Sequence, residues 1–303
     1  MSLLSLERKN FHKILLENNI LCFSKASVEH AKKHGVNYIS CIADIGNKGS
    51  VAIANHLTNL ICVNTKTDAN KLTKKPKGQS LGDQFEVICK NYLIATFLKL
   101  NHIRPGNWHI TKDGNYLGNF EQYSHLNDLE RLMSTNNELR TFLGEGYTIK
   151  PDIVVARSPL SDEEINSSEM LVDNYTARKT AIRKVNHNDP RHPSFLLHAS
   201  VSCKFTMRSD RAQNTRTEAL NLIRSRKGRV PHIVAVTAEP MAGRIASLAL
   251  GTGDMDCVYH FALNELQQTY QELELHDALD TLETMIDGKR LKDISDLPLD
   301  LTV

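Results

Sequence analysis

The chain has 303 residues, 41% of them hydrophobic and 24% charged, a balance that suits a large buried core and argues against disorder. A formal net charge of +2 does not by itself announce a nucleic-acid partner, because whole-chain balance hides local patches. The six cysteines, Cys22, Cys41, Cys62, Cys89, Cys203 and Cys257, show no CxxC pairing and read as reduced, mostly buried thiols, and no apolar run approaches the length of a membrane span or a signal peptide core, so a cytoplasmic protein is expected.

Phe11, Ile14, Leu15 and Ile20 stand at helical spacing in a helical lead-in, and Gly35 and polar turns follow. Asp44 to Ser50 is a turn-rich loop before the apolar-periodic stretch Val51 to Leu60, and as sequence alone it reads as ordinary connection. Lys71 to Gln79 is a basic loop, a pattern more often solvated than functional. From Asp83 onward Phe85, Ile88, Cys89, Tyr92, Leu93, Thr96 and Leu100 predict an amphipathic helix, with Glu86 one step off its apolar stripe. His102 to Trp108 is a turn whose single tryptophan anchors packing, and Leu126, Leu129, Leu132 and Leu139 mark another helix.

Asp152 follows Pro151 at the start of the apolar run Ile153 to Ala156, a buried strand. The loop at 187–193 is rich in His, Asn and Pro but lacks ligand spacing, so it reads as solvated. A second strand, Phe195 to Phe205, is apolar with small polar interruptions and holds Lys204 near its end. Next comes Arg208-Ser209-Asp210-Arg211, then a helix capped by Asn214 or Thr215 that places Glu218 in its first turn. His232 to Ala238 and Cys257 to Ala262 read as further strands, and Asn264 to Met285 as a helix. The expected fold class is α/β, a central mixed β-sheet flanked by helices in one domain over 1–303, with 1–80 as a helical, loop-rich N-terminal region.

Singly, the chemical candidates have plain explanations: Lys204 as a snorkelling strand-end lysine and Asp152 as a turn acid. Together with Glu218 they make a set, two carboxylates and a lysine, that suits a divalent cation beside a phosphate. Between Lys204 and Arg229 stand eight Lys or Arg against two acids, which reads as a phosphate-facing surface. Arg208, Asp210 and Arg211 suit the major groove, where arginine pairs with guanine O6 and N7 and aspartate accepts from cytosine N4. A surface ion-pair network would account for those charges but not for their position directly after Lys204.

Pro151-Asp152, Ser202-Cys203-Lys204 and Glu218 resemble the PD-(D/E)xK nuclease signature in the permuted form of restriction endonucleases that recognise CCGG-centred sites. Ser202 stands where the common form has an acid, and the resemblance supplies that carboxylate from Glu218. The longer segments, among them His198 to Lys204, Arg208 to Asn214, Arg224 to Gly228, Thr237 to Pro240 and Ala249 to Gly253, resemble the NgoMIV type of enzyme, which cuts GCCGGC. The resemblance covers most of the chain and is loosest over 21–78 and just after Arg157. It implies a PD-(D/E)xK core and magnesium, two ions per active site, held by Asp152, Glu218 and the Cys203 backbone carbonyl. Lys204 would orient or deprotonate water, Glu86 would add a carboxylate near the metals, and Ser202 would hydrogen-bond around the site or simply fit the sheet. Cys203 itself is not read as a nucleophile, since its strand neighbours point it into the core.

The resemblance also assigns the base pair outside CCGG to Arg244, Asp44 and Gln79, with 1–80 contributing DNA contacts. It implies a homo-oligomer, dimer or tetramer, acting on double-stranded DNA in a bacterial restriction-modification system and leaving 5′-phosphates and 5′ overhangs. Two other readings stay open at this point. A non-catalytic sequence-specific DNA-binding protein would keep the base-reading cluster without needing the acids, and a repair or recombination nuclease would keep the acids without needing that cluster.

Overall fold

The computed structural model describes residues 1–112, 116–138, 141, 150–184, 195–207, 209–251 and 253–303, with the backbone alone at 209–212. The N-terminal region runs α1 (Leu3–Glu17), β1 (Phe23–Lys25), α2 (Val28–His34), β2 (Tyr38–Ser40), α3 (Lys48–Thr65) and β3 (Lys71–Leu72). It is more regular than loop-rich, because β1 to β3 pair into a small sheet of order β2-β1-β3. Strands of two or three residues are too short to show a period of two, which is why they are invisible as sequence pattern.

After α4 (Gly78–Thr96) comes the central sheet: β4 (Trp108–Thr111), β5 (Ile153–Arg157), β6 (Leu196–Lys204), β7 (His232–Thr237), β8 (Cys257–His260) and β9 (Leu291–Asp293). The strands lie in chain order; β4, β5 and β6 pair antiparallel and β6 to β9 parallel, a mixed sheet as expected. Between them lie α5 (His125–Thr135), α6 (Asp162–Ile165), α7 (Ser209–Ser225), α8 (Ala242–Ala249), α9 (Leu263–Glu272) and α10 (His276–Asp287), and α11 (Leu297–Asp300) follows β9. The stretch read as one helix from Asn264 to Met285 is two, broken where Glu274 turns left-handed at φ 54°. Trp108 packs against Phe97 and His198, at 5.2 and 4.8 Å between ring centroids, while also opening β4.

The parallel crossovers β6-α7-β7 and β7-α8-β8 step in the same direction, so the right-handed rule puts α7 and α8 on one face. On the other, α4 packs on β6, seating Phe85 against Phe205 at 5.3 Å, with α1 stacked on α4 and α3 packed against α1 and the helix 263–272. With both faces covered, β5, β7 and β8 bury nearly every side chain, which explains their unbroken apolar text. One hydrophobic cluster extends from Phe11 to Leu301.

Arg8 fastens the start of the chain to its last third. Its guanidinium donates to Asp293 at 2.8 and 2.7 Å and to Glu265 at 2.8 and 2.6 Å, a doubly bidentate clamp. Burial alone would raise the Glu265 pKa, but the Arg8 hydrogen bonds and charge outweigh it and hold the carboxyl at about 2. A carboxyl depressed in the fold contributes stability above its unfolded pKa and loses it as the pH falls through the folded one. Stability from this clamp is therefore expected to disappear between about pH 4.5 and pH 2. Arg8→Ala, which strands two buried carboxylates, is expected to cost about 3 to 5 kcal/mol at pH 7. Urea unfolding of both proteins at pH 7 and pH 3 checks both statements, with the difference shrinking at pH 3.

Candidate active site and base-reading surface

Antiparallel register makes the site. Ile153 pairs with Val201, so Asp152, one residue before β5, lies across from Ser202, and period-two alternation puts Ser202 and Lys204 on one face and Cys203 on the other. Asp152 Oδ2 accepts from the Cys203 backbone N–H at 2.8 Å, from Lys204 Nζ at 3.1 Å and from Ser202 Oγ at 3.4 Å. Ser202 thus touches the carboxylate whose partner acid it replaces. Cys203 is buried and faces Cys89 of α4, and burial pushes its thiol pKa well up, as a core residue and not a nucleophile requires.

Glu218 reaches the site from the middle of α7, not from its first turn. The helix begins at Ser209, ahead of the expected caps, and Thr215 is buried against the protein instead of capping. Burial raises the Glu218 pKa and the Asp152 charge adds to it, while Lys204 pulls it back. Burial would lower the Lys204 pKa, yet Asp152 and Glu218 together raise it, so the ammonium stays charged. Glu86, half-buried on α4, is likewise raised by burial first and Asp152 next, and Lys112 offsets this with an ion pair at 3.1 Å. Lys112, just past β4, had no sequence signal, since nothing in its own segment marks it as facing Glu86.

Among the described residues no three acid, histidine or cysteine side chains form a ready metal cage. The donor chemistry nonetheless fits a divalent cation. Asp152 disfavours ionisation of both Glu86 and Glu218, and a cation among them relieves that repulsion.

The base-reading candidates divide. Arg208 lies outside the described residues, and Asp210 and Arg211 lie on the first turn of α7 with their side chains outside the description. Asp44 and Arg244 come together: Arg244 Nη2 donates to Asp44 Oδ2, and the two line a cavity of about 260 Å³ with Lys75, Thr206 and Met207. Met207 directly precedes Arg208, so this cavity adjoins the start of the proposed CCGG-reading segment. Gln79 is not in a loop but on the exposed first turn of α4, outside that cavity.

The basic run from Lys204 to Arg229 does not form one surface. Seventeen helical residues carry the chain about 25 Å, the length of the sheet. Lys227 and Arg229 therefore line a separate cavity of about 580 Å³ with Arg104, Arg157 and His198, at the opposite strand ends from Asp152 and Lys204. Arg216 pairs with the buried Asp254 at 3.3 Å.

A mixed sheet that presents an aspartate and a lysine from neighbouring strand ends, with a helix-borne glutamate in electrostatic reach, is the arrangement that the class of metal-dependent phosphodiester nucleases would use. The family model described as the NgoMIV restriction enzyme matches residues 11–303. A curated relative, the type II restriction enzyme NgoMIV of Neisseria gonorrhoeae, is 48% identical over 301 residues, covering 98% of each chain. The chain belongs to the NgoMIV restriction enzyme family and is a type II restriction endonuclease with the core expected of one. As a DNA enzyme it acts on the double strand, and among the described residues no helix is long and apolar enough to cross a membrane.

Lys112→Met removes the cation that restrains Glu86 beside Asp152, so the Glu86 pKa is expected to climb further. With Glu86 read as an additional carboxylate beside the metals, its protonation at higher pH shifts the acid limb of the cleavage profile toward higher pH. Rate profiles at fixed magnesium for both proteins check this; coincident acid limbs contradict it.

Proposed function

We propose that this endonuclease cuts a CCGG-centred palindrome, GCCGGC, with magnesium, two ions per active site, leaving 5′-phosphates and 5′ overhangs. It serves a bacterial restriction-modification system in the cytoplasm, as a homodimer or a tetramer of two dimers. Its chain is one domain over 1–303, with 1–80 contributing DNA contacts through the loop that carries Asp44. The observation that carries the reading is the placement of two constellations on one sheet end. Asp152, Cys203 and Lys204 meet there, and Asp44 and Arg244 share a cavity beside Met207, three residues beyond Lys204. A repair nuclease has no use for the second constellation and a DNA-binding protein none for the first.

The ions supply charge neutralisation at the phosphate and a water acidic enough to attack near neutral pH. Asp152, Glu218 and the Cys203 backbone carbonyl would hold them, with Glu86 beside them. The Cys203 N–H fixes the rotamer of Asp152, and Ser202 adds a weaker hydrogen bond to the same oxygen. Lys204, kept protonated by the acids, faces the scissile phosphate, orients the water and stabilises the charge that builds as the P–O3′ bond breaks. At the outer pair Arg244 reads guanine O6 and N7, Asp44 accepts from cytosine N4, and Gln79 has the more distant role of the three, toward guanine N2 in the minor groove. Arg208, Asp210 and Arg211 read the inner CCGG.

Asp152→Ala, Lys204→Ala and Glu218→Ala are each expected to lower the cleavage rate by roughly 100-fold or more while specific binding persists. Single-turnover digestion alongside gel-shift titration measures both; near-normal cutting by any of the three removes that residue from the site. Arg244→Ala is expected to lose about 1 to 3 kcal/mol of discrimination at the outer pair while still requiring CCGG. Duplexes that differ only at that pair, GCCGGC against ACCGGT, provide the measurement. If the unaltered enzyme cuts both equally, the outer-pair assignment is wrong even though the nuclease stands.

A further inference from the structure

Thr237 and Glu239, at the end of β7, belong neither to the metal site nor to the base-reading set, yet they lie between the two. Both are buried, Glu239 at 1% exposure. Starting at the catalytic strand, the Thr237 hydroxyl donates to the Lys204 carbonyl at 2.8 Å and accepts from the Glu239 backbone N–H at 3.1 Å. The Glu239 carboxylate then uses its two oxygens separately. Oε2 accepts from the Met207 N–H at 2.8 Å and Oε1 from the Met241 N–H at 3.1 Å. Arg244 Nη1 stands 3.8 Å from Oε1 and donates to the Met207 carbonyl at 3.2 Å, and its other arm holds Asp44.

We propose that Glu239 is the positioning residue that couples base reading to catalysis, by clamping the Met207 peptide, from which the CCGG-reading segment starts, to the strand end that holds Lys204 and to the outer reader Arg244. The coupling rests on the specificity proposed above for Arg244 and Asp44. Both backbone polar groups of Met207 are taken, its N–H by Glu239 and its carbonyl by Arg244, so a displacement of Arg244 by an incorrect base pair is felt at the peptide that joins Met207 to Arg208. Thr237 carries the same displacement to the Lys204 backbone. A buried acid holding only a turn would need one such contact; this one ties three functional segments.

The groups facing the Glu239 carboxyl or its turn are few. Arg244 of α8 and Asp44 of the β2–α3 loop lie on one side. Tyr270 of α9, whose hydroxyl donates to the Pro240 carbonyl at 2.7 Å and accepts from the Ala242 N–H at 2.7 Å, lies on another, and His260 of β8, held neutral by burial, lies behind. Burial pushes the Glu239 pKa up, partly offset by the two backbone N–H groups and Arg244, to about 7. The clamp needs both oxygens as acceptors, so it loosens as pH falls through that value.

The test measures cleavage of three duplexes, GCCGGC, ACCGGT and one lacking CCGG, by the full-length enzyme with magnesium. Ratios between duplexes cancel titrations common to all of them. Glu239→Gln, which places an amide N–H₂ against one of the two backbone donors, is expected to lower the GCCGGC-to-ACCGGT ratio roughly tenfold, the equivalent of about 1.4 kcal/mol. In the Arg244→Ala background it should add little, because the two act through one network. In the unaltered enzyme the ratio should fall as pH drops through about 7, and this arm decides the matter if the variant fails to fold. An equal slowing on every duplex with unchanged ratios, or a flat wild-type ratio from about pH 6 to 8, overturns the coupling. Equal wild-type cutting of GCCGGC and ACCGGT instead overturns the outer-pair reading, and the coupling is then judged on the ratio between CCGG-containing and CCGG-lacking duplexes, which Glu239→Gln must lower.

Discussion

The pairing of β5 with β6 is the constraint on which the functional architecture depends. Antiparallel register sets Asp152 across from Ser202, and the Cys203 N–H and Lys204 ammonium then converge on one carboxylate oxygen. A slip of one residue would turn Lys204 into the core and Cys203 toward the candidate metal site, so the register is specified as firmly as the residues themselves. The buried, apolar neighbours on both strands enforce it: Ile153, Val155, Ala199 and Val201 are fully inside. The chemistry at the strand ends is thus held by packing several residues away from it.

Around that point the protein keeps the charges of the candidate sites paired. Lys204 holds Asp152, Lys112 holds Glu86, and Arg244 holds Asp44. Half-buried carboxylates without such partners would protonate or draw the backbone out of place. The pairs are weak enough at this exposure to be exchanged, which suits groups whose proposed ligands are cations, phosphates and base edges. Arg8 with Glu265 and Asp293 is the contrasting case: buried, doubly bidentate and structural.

The sequence exposed those parts of the fold whose burial is continuous. β5, β6, β7 and β8 were legible because sheets covered on both faces leave unbroken apolar text, and α4 because its stripe from Phe85 to Thr96 is fully buried. β4 and β9 escaped because edge strands of four and three residues carry too little pattern. The start of α7 was misplaced because Asn214 and Thr215 look like caps, whereas tertiary packing buries Thr215. Lys112 and Glu239 had no local signal at all, since their partners lie on other elements. The basic run misled for a geometric reason: adjacency in sequence became separation in space once a helix as long as the sheet was inserted.

The Arg8 clamp has a consequence for the order in which the molecule assembles. Its contact with Asp293 joins residues 285 positions apart, and His12 similarly donates to the Phe261 carbonyl across 249. Such contacts close large loops, so they form late and slow the folding rate. α1 lies over α4, and α4 in turn covers β6, the strand that ends in Lys204. α1 can therefore seat over α4 with its clamp closed only after β9, which carries Asp293, has been synthesised.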